Sequence, residues 1–230
     1  MKDEQPSAGQ PDDEAQKSPQ PGARRSKAAF WKELVVLVGI ALLVAFVVRT
    51  FIVETFWIPS GSMEHTLDIN DRVLVNKLVY DFREPRRGEI VVFKAPETWR
   101  TTTTDVEFIK RVIGVGGDHV VCCDSLGRIT VNGVPLNETY LHRNELGVPD
   151  PPSRDQFDIV VPPGRLWVMG DHRSESGDSR QIYVNTRDVM EATVPVDSVV
   201  GRAFVLFWPP KRWTWLTVPD TFDTVPPPTN

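Results

Sequence analysis

The chain has 230 residues, 40% of them hydrophobic and 25% charged, an ordinary globular composition with room for one or two packed domains. Its formal net charge of −5 argues against a nucleic-acid partner, because phosphate contacts need clustered Lys and Arg. The 20 prolines and 15 glycines punctuate short Val-rich segments, which favours β structure.

Residues 1–23 are polar, Pro-punctuated and almost free of large apolar side chains. Such a segment buries too little surface to offset its ordering entropy, so residues 1–29 are expected to form a disordered tail. Arg24, Arg25, Lys27 and Lys32 follow, and then Leu34–Val48 carries no charge. Counted to Val53 the apolar span is about 20 residues, enough for a bilayer core of roughly 30 Å. Arg49 near one end can snorkel, and Trp31 and Trp57 bracket the span as interfacial aromatics do. A secretory signal peptide shares the basic flank and apolar stretch, but no small-x-small cleavage site follows. Residues 30–54 are therefore read as an uncleaved signal anchor. The flanking positive charges keep the tail in the cytoplasm and send the remainder outside.

From Arg72 onward the chain reads as strands: 72–80, 88–94, 106–113, 119–123, 128–131, 165–169 and 199–208. Asn132-Gly133 between Val131 and Val134 is a hairpin signal, since both turn positions favour φ > 0. Thr101–Thr104 marks a loop or ribbon tip, residues 137–157 a long loop, and residues 181–195 match no usable motif. The prolines near the end suggest a frayed tail over 217–230. The two cysteines, Cys122 and Cys123, are adjacent. Across a trans peptide their Cα atoms lie about 3.8 Å apart, below the usual disulfide range of roughly 4.4–6.8 Å. A relaxed bridge is not expected, which leaves free thiols, a strained vicinal pair or intermolecular partners. No His/Cys cluster sits at zinc-ligand spacing beside them, and neither a metal nor another cofactor is expected.

Chemistry concentrates in three places. Pro59-Ser60-Gly61-Ser62-Met63-Glu64-His65-Thr66-Leu67 presents two hydroxyls on a turn stiffened by Pro59 and relaxed at Gly61. A serine nucleophile needs a base. His65 is too close to Ser62 in sequence to swing back with an orienting acid, and nothing in the sequence fixes His172, so a Ser-His-Asp triad is disfavoured. Lysine serves as base only when neutral, which burial in an apolar site achieves. In the strand 106–113 side chains alternate, so Phe108, Lys110 and Val112 share a face and Lys110 has apolar neighbours. The third place is Gly170–Arg180, where Asp171, Arg173, Asp178 and Arg180 can interlock as ion pairs and a hydroxyl can orient a lysine amine.

These boxes, in this order behind an anchor, resemble the bacterial type I signal peptidases, membrane-anchored Ser-Lys proteases. The resemblance runs from about residue 34 to 208 through Pro59–Met63 with Thr66-Leu67, Arg87–Phe93, Lys110–Gly114 with Gly117-Asp118, and Gly170-Asp171 through Asp178-Ser179-Arg180. It implies a mainly β fold, an antiparallel catalytic core over residues 55–216 with a smaller β domain inserted at about 114–164. It implies Ser62 as nucleophile, Lys110 as general base, the Ser62 N–H and Ser60 hydroxyl as oxyanion donors, Ser176 orienting Lys110, and Asp178 and Arg180 as structural support. The implied substrates are signal-peptide-bearing preproteins with small residues at −1 and −3, cleaved through an acyl-enzyme at the outer face of the membrane. His65 and His172 depart from the family pattern, which commonly has proline and asparagine there. Trp208–Trp215 mixes aromatic and basic residues, as lipid-contacting segments do. The competing readings are a membrane-tethered, non-enzymatic β domain and a cytoplasmic Ser-Lys self-cleaving repressor; the anchor and the acidic balance argue against the second.

Overall fold

A computed structural model describes residues 27–100 and 106–228. Most of the expected disordered tail, and Thr101–Thr104, lie outside the described residues. The first element is helix α1, Lys27–Val47. Its window Phe30–Val47 has a mean hydropathy of 2.3, long and apolar enough by length and composition to cross a membrane. A π-helical turn over Val48–Ile52 ends it. The anchor was expected to run to residue 54, but Val53 already belongs to a strand. The β-branched and aromatic residues of Val53–Trp57 pair with Arg72–Asn76 in antiparallel register, and strand pairing wins over continued helix.

The remainder is mainly antiparallel β, as the sequence implies. The strands are β1 (Val53–Trp57), β2 (Arg72–Asn76), β3 (Ile90–Lys94), β4 (Glu107–Val115), β5 (His119–Cys122), β6 (Ile129–Val131), β7 (Val134–Pro135), β8 (Phe157–Val160), β9 (Arg165–Met169), β10 (Val194–Pro195), β11 (Val199–Trp208) and β12 (Thr214–Trp215). A large sheet runs β1-β2-β11-β3-β4-β9-β10, with β12 added on β11; a four-stranded sheet runs β7-β6-β5-β8. Asn132 and Gly133 join β6 to β7 with φ of 51° and 79°, the geometry a tight two-residue hairpin demands.

Strand β3 shows why the core sits where it does. Ile90 and Val92 enter one apolar cluster with Met63, Leu67, Val73 and Leu206. Val91 and Phe93 enter another with Trp99, Val112, Val168 and Val194. A strand buried on both faces reads as a continuous apolar run rather than an alternation, and IVVF is that run.

Three expectations are corrected. Tyr80 is not strand: α2 (Val79–Phe82) begins after β2, because Asn76 turns its side chain to accept from the Leu78 and Val79 N–H groups and ends the strand. Residues 181–195 hold α3 (Ser179–Thr186) and α4 (Val189–Ala192). The N-caps Asp178 and Asp188 each accept backbone N–H groups, a local start signal in a segment where no motif was read. The end of the chain is packed through residue 225: Phe222 and Val225 are buried in the cluster of the smaller sheet, and Arg87 donates to the Val225 carbonyl. Two apolar side chains among many prolines suffice to dock it. Of the three alternatives left open for the cysteines, the structure shows the vicinal pair. Cys122 and Cys123 are disulfide-bonded across a cis peptide with Cα atoms 2.9 Å apart, whereas the distance reasoning assumed a trans peptide.

Candidate active site

The Ser62 turn is pinned from beneath. Met63 and Leu67 are fully buried in the cluster under β2, β3 and β11. Between them Glu64 N–H donates to Gly61 O and Leu67 N–H to Met63 O, closing two tight turns. Ser62 sits in a 3-10 turn, Gly61–Met63, with Ser60 extended at its N-cap. N–H groups in the first turn of such a helix lack intrahelical acceptors, so they are available to a ligand oxygen. His65 has a φ of 81°, a backbone that proline, fixed near −65°, cannot adopt. His65 itself is exposed.

Strand β4 supplies Lys110. The strand's period of two puts Phe108 and Lys110 on one face, and Lys110 Nζ lies 5.7 Å from the centre of the Phe108 ring. Lys110 is only 4% exposed and Ser62 6%. The Lys110 amine donates to Ser62 Oγ at 2.6 Å. Burial drives the lysine pKa down to about 8, with Arg180 assisting and Asp178 and Asp171 opposing. Of the four histidines, none hydrogen-bonds the Ser62 hydroxyl among the described residues, which leaves Lys110 as its basic partner.

The loop after β9 closes the site. Asp178 is fully buried; it accepts from Gly170 N–H at 3.0 Å and from the Arg180 guanidinium at 2.9 and 2.7 Å. Burial alone would raise its pKa, but the Arg180 charge and these hydrogen bonds hold it below the usual carboxylate value. Arg180 also donates to the Arg173 carbonyl. Of the four charged residues expected to interlock in this loop, only Asp178 and Arg180 pair with each other among the described residues. Asp171 instead accepts from Arg111 at 2.8 and 2.6 Å and from the Thr66 hydroxyl at 2.5 Å. Arg173 pairs with Glu138. These long-range partners were chosen by the sheet, because Arg111 neighbours Lys110 on β4 but points to the opposite face. Thr66, Asp171 and Arg111 thus bolt the serine turn to the lysine strand, a link between distant segments that no local spacing signals.

Ser176 does not hydrogen-bond Lys110 in this structure. Its buried Oγ lies next to Asp178, whose pKa it helps to lower, and faces Gly170, where an added Cβ would collide with both Ser176 Oγ and Ser62 O. Gly170 is therefore what lets the β9 loop and the serine turn touch, and His172 N–H seals the contact by donating to Ser62 O at 3.2 Å. Ser60 is exposed on the rim. Ser60, Ser62, Lys110, Phe108, Trp99 and Ile182 line part of a cleft of about 450 Å3, in which an apolar wall flanks the hydroxyls. Elsewhere, Arg87 pairs with Asp118, which also accepts from Val115 N–H. Those two boxes are thereby latched together away from the hydroxyls.

Comparison with known proteins gives sequence matches over most of the chain. The family described as signal peptidase, peptidase S26, matches residues 31–208. Signal peptidase I of Mycobacterium tuberculosis is 36% identical over 239 residues, covering 88% of this chain and 80% of that protein. A probable signal peptidase I-2 of Synechocystis is 39% identical over 187 residues, covering 81% and 78%. The crystal structure of a signal peptidase I from Enterococcus faecalis covers 52% of this chain and 97% of its own, with 27% identity and a TM-score of 0.40.

Proposed function

The chain belongs to the signal peptidase family, peptidase S26, and we propose that Ser62 and Lys110 carry its chemistry. The activity is that of a serine endopeptidase that removes signal peptides from preproteins. The observation that carries the residue assignment is the 2.6 Å contact between a buried lysine and the Ser62 hydroxyl, with the lysine pKa brought to about 8. A lysine so placed is substantially neutral at mildly alkaline pH and can accept a proton.

The cycle follows from that pair. Neutral Lys110 Nζ takes the Ser62 proton as Oγ attacks the scissile carbonyl carbon. The Ser62 N–H and the Ser60 hydroxyl donate to the developing oxyanion. Protonated Lys110 then gives its proton to the leaving amine, and the acyl group stays on Ser62 as an ester. A water, deprotonated by Lys110, attacks that ester; the C–Oγ bond breaks, the ammonium returns its proton to Ser62 Oγ, and the new carboxyl end leaves. Ser176 is assigned the role of steering the lone pair of the Lys110 amine, from its place beside Gly170 and the Ser62 turn. The cleft wall of Phe108, Ile109, Trp99 and Ile182 suits small apolar side chains at −1 and −3. No step requires a metal.

We further read α1 as a single-pass anchor with the N-terminus cytoplasmic and the peptidase domain outside, supported by Arg24, Arg25, Lys27 and Lys32 on one flank. Trp57, Trp208, Trp213 and Trp215 are 57%, 49%, 54% and 58% exposed. They gather at one end of β1, β2, β11 and β12, with Trp213 and Trp215 in edge contact at 5.6 Å. Exposed tryptophans in such a group favour a lipid interface. Purified Ser62→Ala and Lys110→Ala proteins, assayed on a preprotein in detergent micelles, test the dyad. Both should be inactive yet folded, and retained cleavage by either refutes the assignment.

A further inference from the structure

Beside the serine turn, and apart from the Ser62–Lys110 pair, Glu64, His142 and His172 converge from three segments. Each offers one ligand atom, and these atoms all lie within 4.8 Å of one another. His172 Nδ1 is 3.1 Å from Glu64 Oε2, near the ligand-to-ligand separation of about 3.3 Å in a tetrahedral site with bonds of roughly 2.0–2.1 Å. His172 Nδ1 also lies 3.1 Å from Gly61 O, and the His142 and His172 rings stack 3.8 Å apart and 25° from parallel, so both in-plane lone pairs meet one ion only when one ring turns out of the stack. A second carboxylate is at hand: Asp150 Oδ2 is 3.9 Å from His172 Nε2, already oriented by the Ser174 N–H and hydroxyl.

The charge balance favours a cation. Arg173 is taken by Glu138 and Arg111 by Asp171. Among the described residues neither Glu64 nor Asp150 pairs with Lys or Arg, and their ionic partner is His172. Two carboxylates thus face two imidazoles with no fixed positive charge among them. The side chains are shielded but reachable, 11% exposed at His172 and 29% at Glu64. Imidazole nitrogen with carboxylate oxygen suits zinc and its first-row neighbours better than magnesium or calcium, which prefer all-oxygen shells.

We propose that Glu64, His142 and His172 bind a divalent transition-metal ion of the zinc class, with Asp150 or water completing the shell. The ion clamps three loops: the serine turn through Glu64, the segment before Pro149 through His142, and the β9 loop through His172. It touches neither Ser62 Oγ nor Lys110 Nζ, so it is a structural clamp and takes no part in the hydrolytic step.

The test is calorimetric titration of zinc chloride into the untagged full chain in detergent micelles at pH 7.5. The expected result is one ion per chain, with no comparable heat from magnesium. Zinc at about a hundredfold above its Kd should raise Tm by roughly 5–10 °C. His142→Gln, and separately Glu64→Gln, should each weaken zinc binding at least tenfold while leaving the metal-free Tm near that of the wild type. His119→Gln, altering an exposed histidine paired with Asp158, should bind zinc as the wild type does. Absence of zinc binding below millimolar concentration overturns the proposal. So does binding that survives both His142→Gln and Glu64→Gln, or binding lost in His119→Gln.

Discussion

Replacing Lys110 with methionine should separate catalysis from stability. In the folded chain Lys110 has a pKa of about 8, against an ordinary value of 10.5, a difference worth about 3 kcal/mol. The unfolded chain therefore holds the proton more tightly than the folded one. The stabilisation associated with the neutral lysine is complete above about pH 10.5 and is lost as pH falls through about 8. At pH 7 the wild type thus bears most of the cost of burying an ammonium. Methionine has similar length and no charge, so Lys110→Met removes that cost. It forfeits the hydrogen bond to Ser62, worth about 1 kcal/mol, leaving a net gain of about 2 kcal/mol, or a Tm increase of roughly 4–8 °C. Cleavage should vanish. In the wild type the neutral fraction of Lys110 is about a tenth at pH 7 and about a hundredth at pH 6, so kcat/KM on a peptide with alanine at −1 and −3 should fall close to tenfold per unit below pH 8. Calorimetric Tm at pH 7 and fluorogenic cleavage between pH 6 and 9 provide the readouts. A Tm lower in Lys110→Met than in the wild type, or a flat rate from pH 6 to 8, refutes the buried-base reading.

On the proposed assignment Ser60→Ala takes away one oxyanion donor and should lower kcat by about 100- to 1000-fold with little change in KM, as loss of one such donor does elsewhere; an unchanged kcat in steady-state assays would remove Ser60 from the site. Asp171→Asn leaves the buried Arg111 guanidinium without its counter-charge and weakens the Thr66 link. It should cost about 3 kcal/mol, seen as a drop in the denaturation midpoint accompanied by a loss of cleavage. Gly170→Ala drives a methyl into Ser62 O and Ser176 Oγ and should cost about 1–3 kcal/mol while displacing the nucleophile, so kcat should fall more steeply than stability. Trp213→Ala combined with Trp215→Ala should reduce partition of a peptidase domain lacking residues 1–53 onto phospholipid vesicles, measured by co-sedimentation; undiminished sedimentation would detach this surface from the membrane.

Much of this protein was determined locally and could be read from the sequence alone. The apolar span of α1, the Asn132-Gly133 hairpin, the continuous apolar run of β3, and the alternation that sets Lys110 beside Phe108 depend on near neighbours in the chain. So do the spacing and order of the serine turn, lysine strand and Gly170–Arg180 loop, which together identified the family. Tertiary structure decided what depends on distant partners. Asp171 and Arg173 both sit in a loop rich in opposite charges, yet Asp171 goes to Arg111 on β4 and Arg173 to Glu138 in the segment after β7, because folding brings those distant partners into reach while Asp178 takes Arg180. The packing of Phe222 and Val225 could not be read from a proline-rich tail, since docking depends on a complementary apolar surface formed by other strands. The meeting of Glu64, His142 and His172, scattered over more than a hundred positions, likewise exists only once the loops are folded against one another. Lys110 shows the division most clearly: its strand face was legible from residue spacing, but the burial that lowers its pKa, and its approach to within 2.6 Å of Ser62 Oγ, are products of packing, because desolvation is a property of all the atoms around a charge.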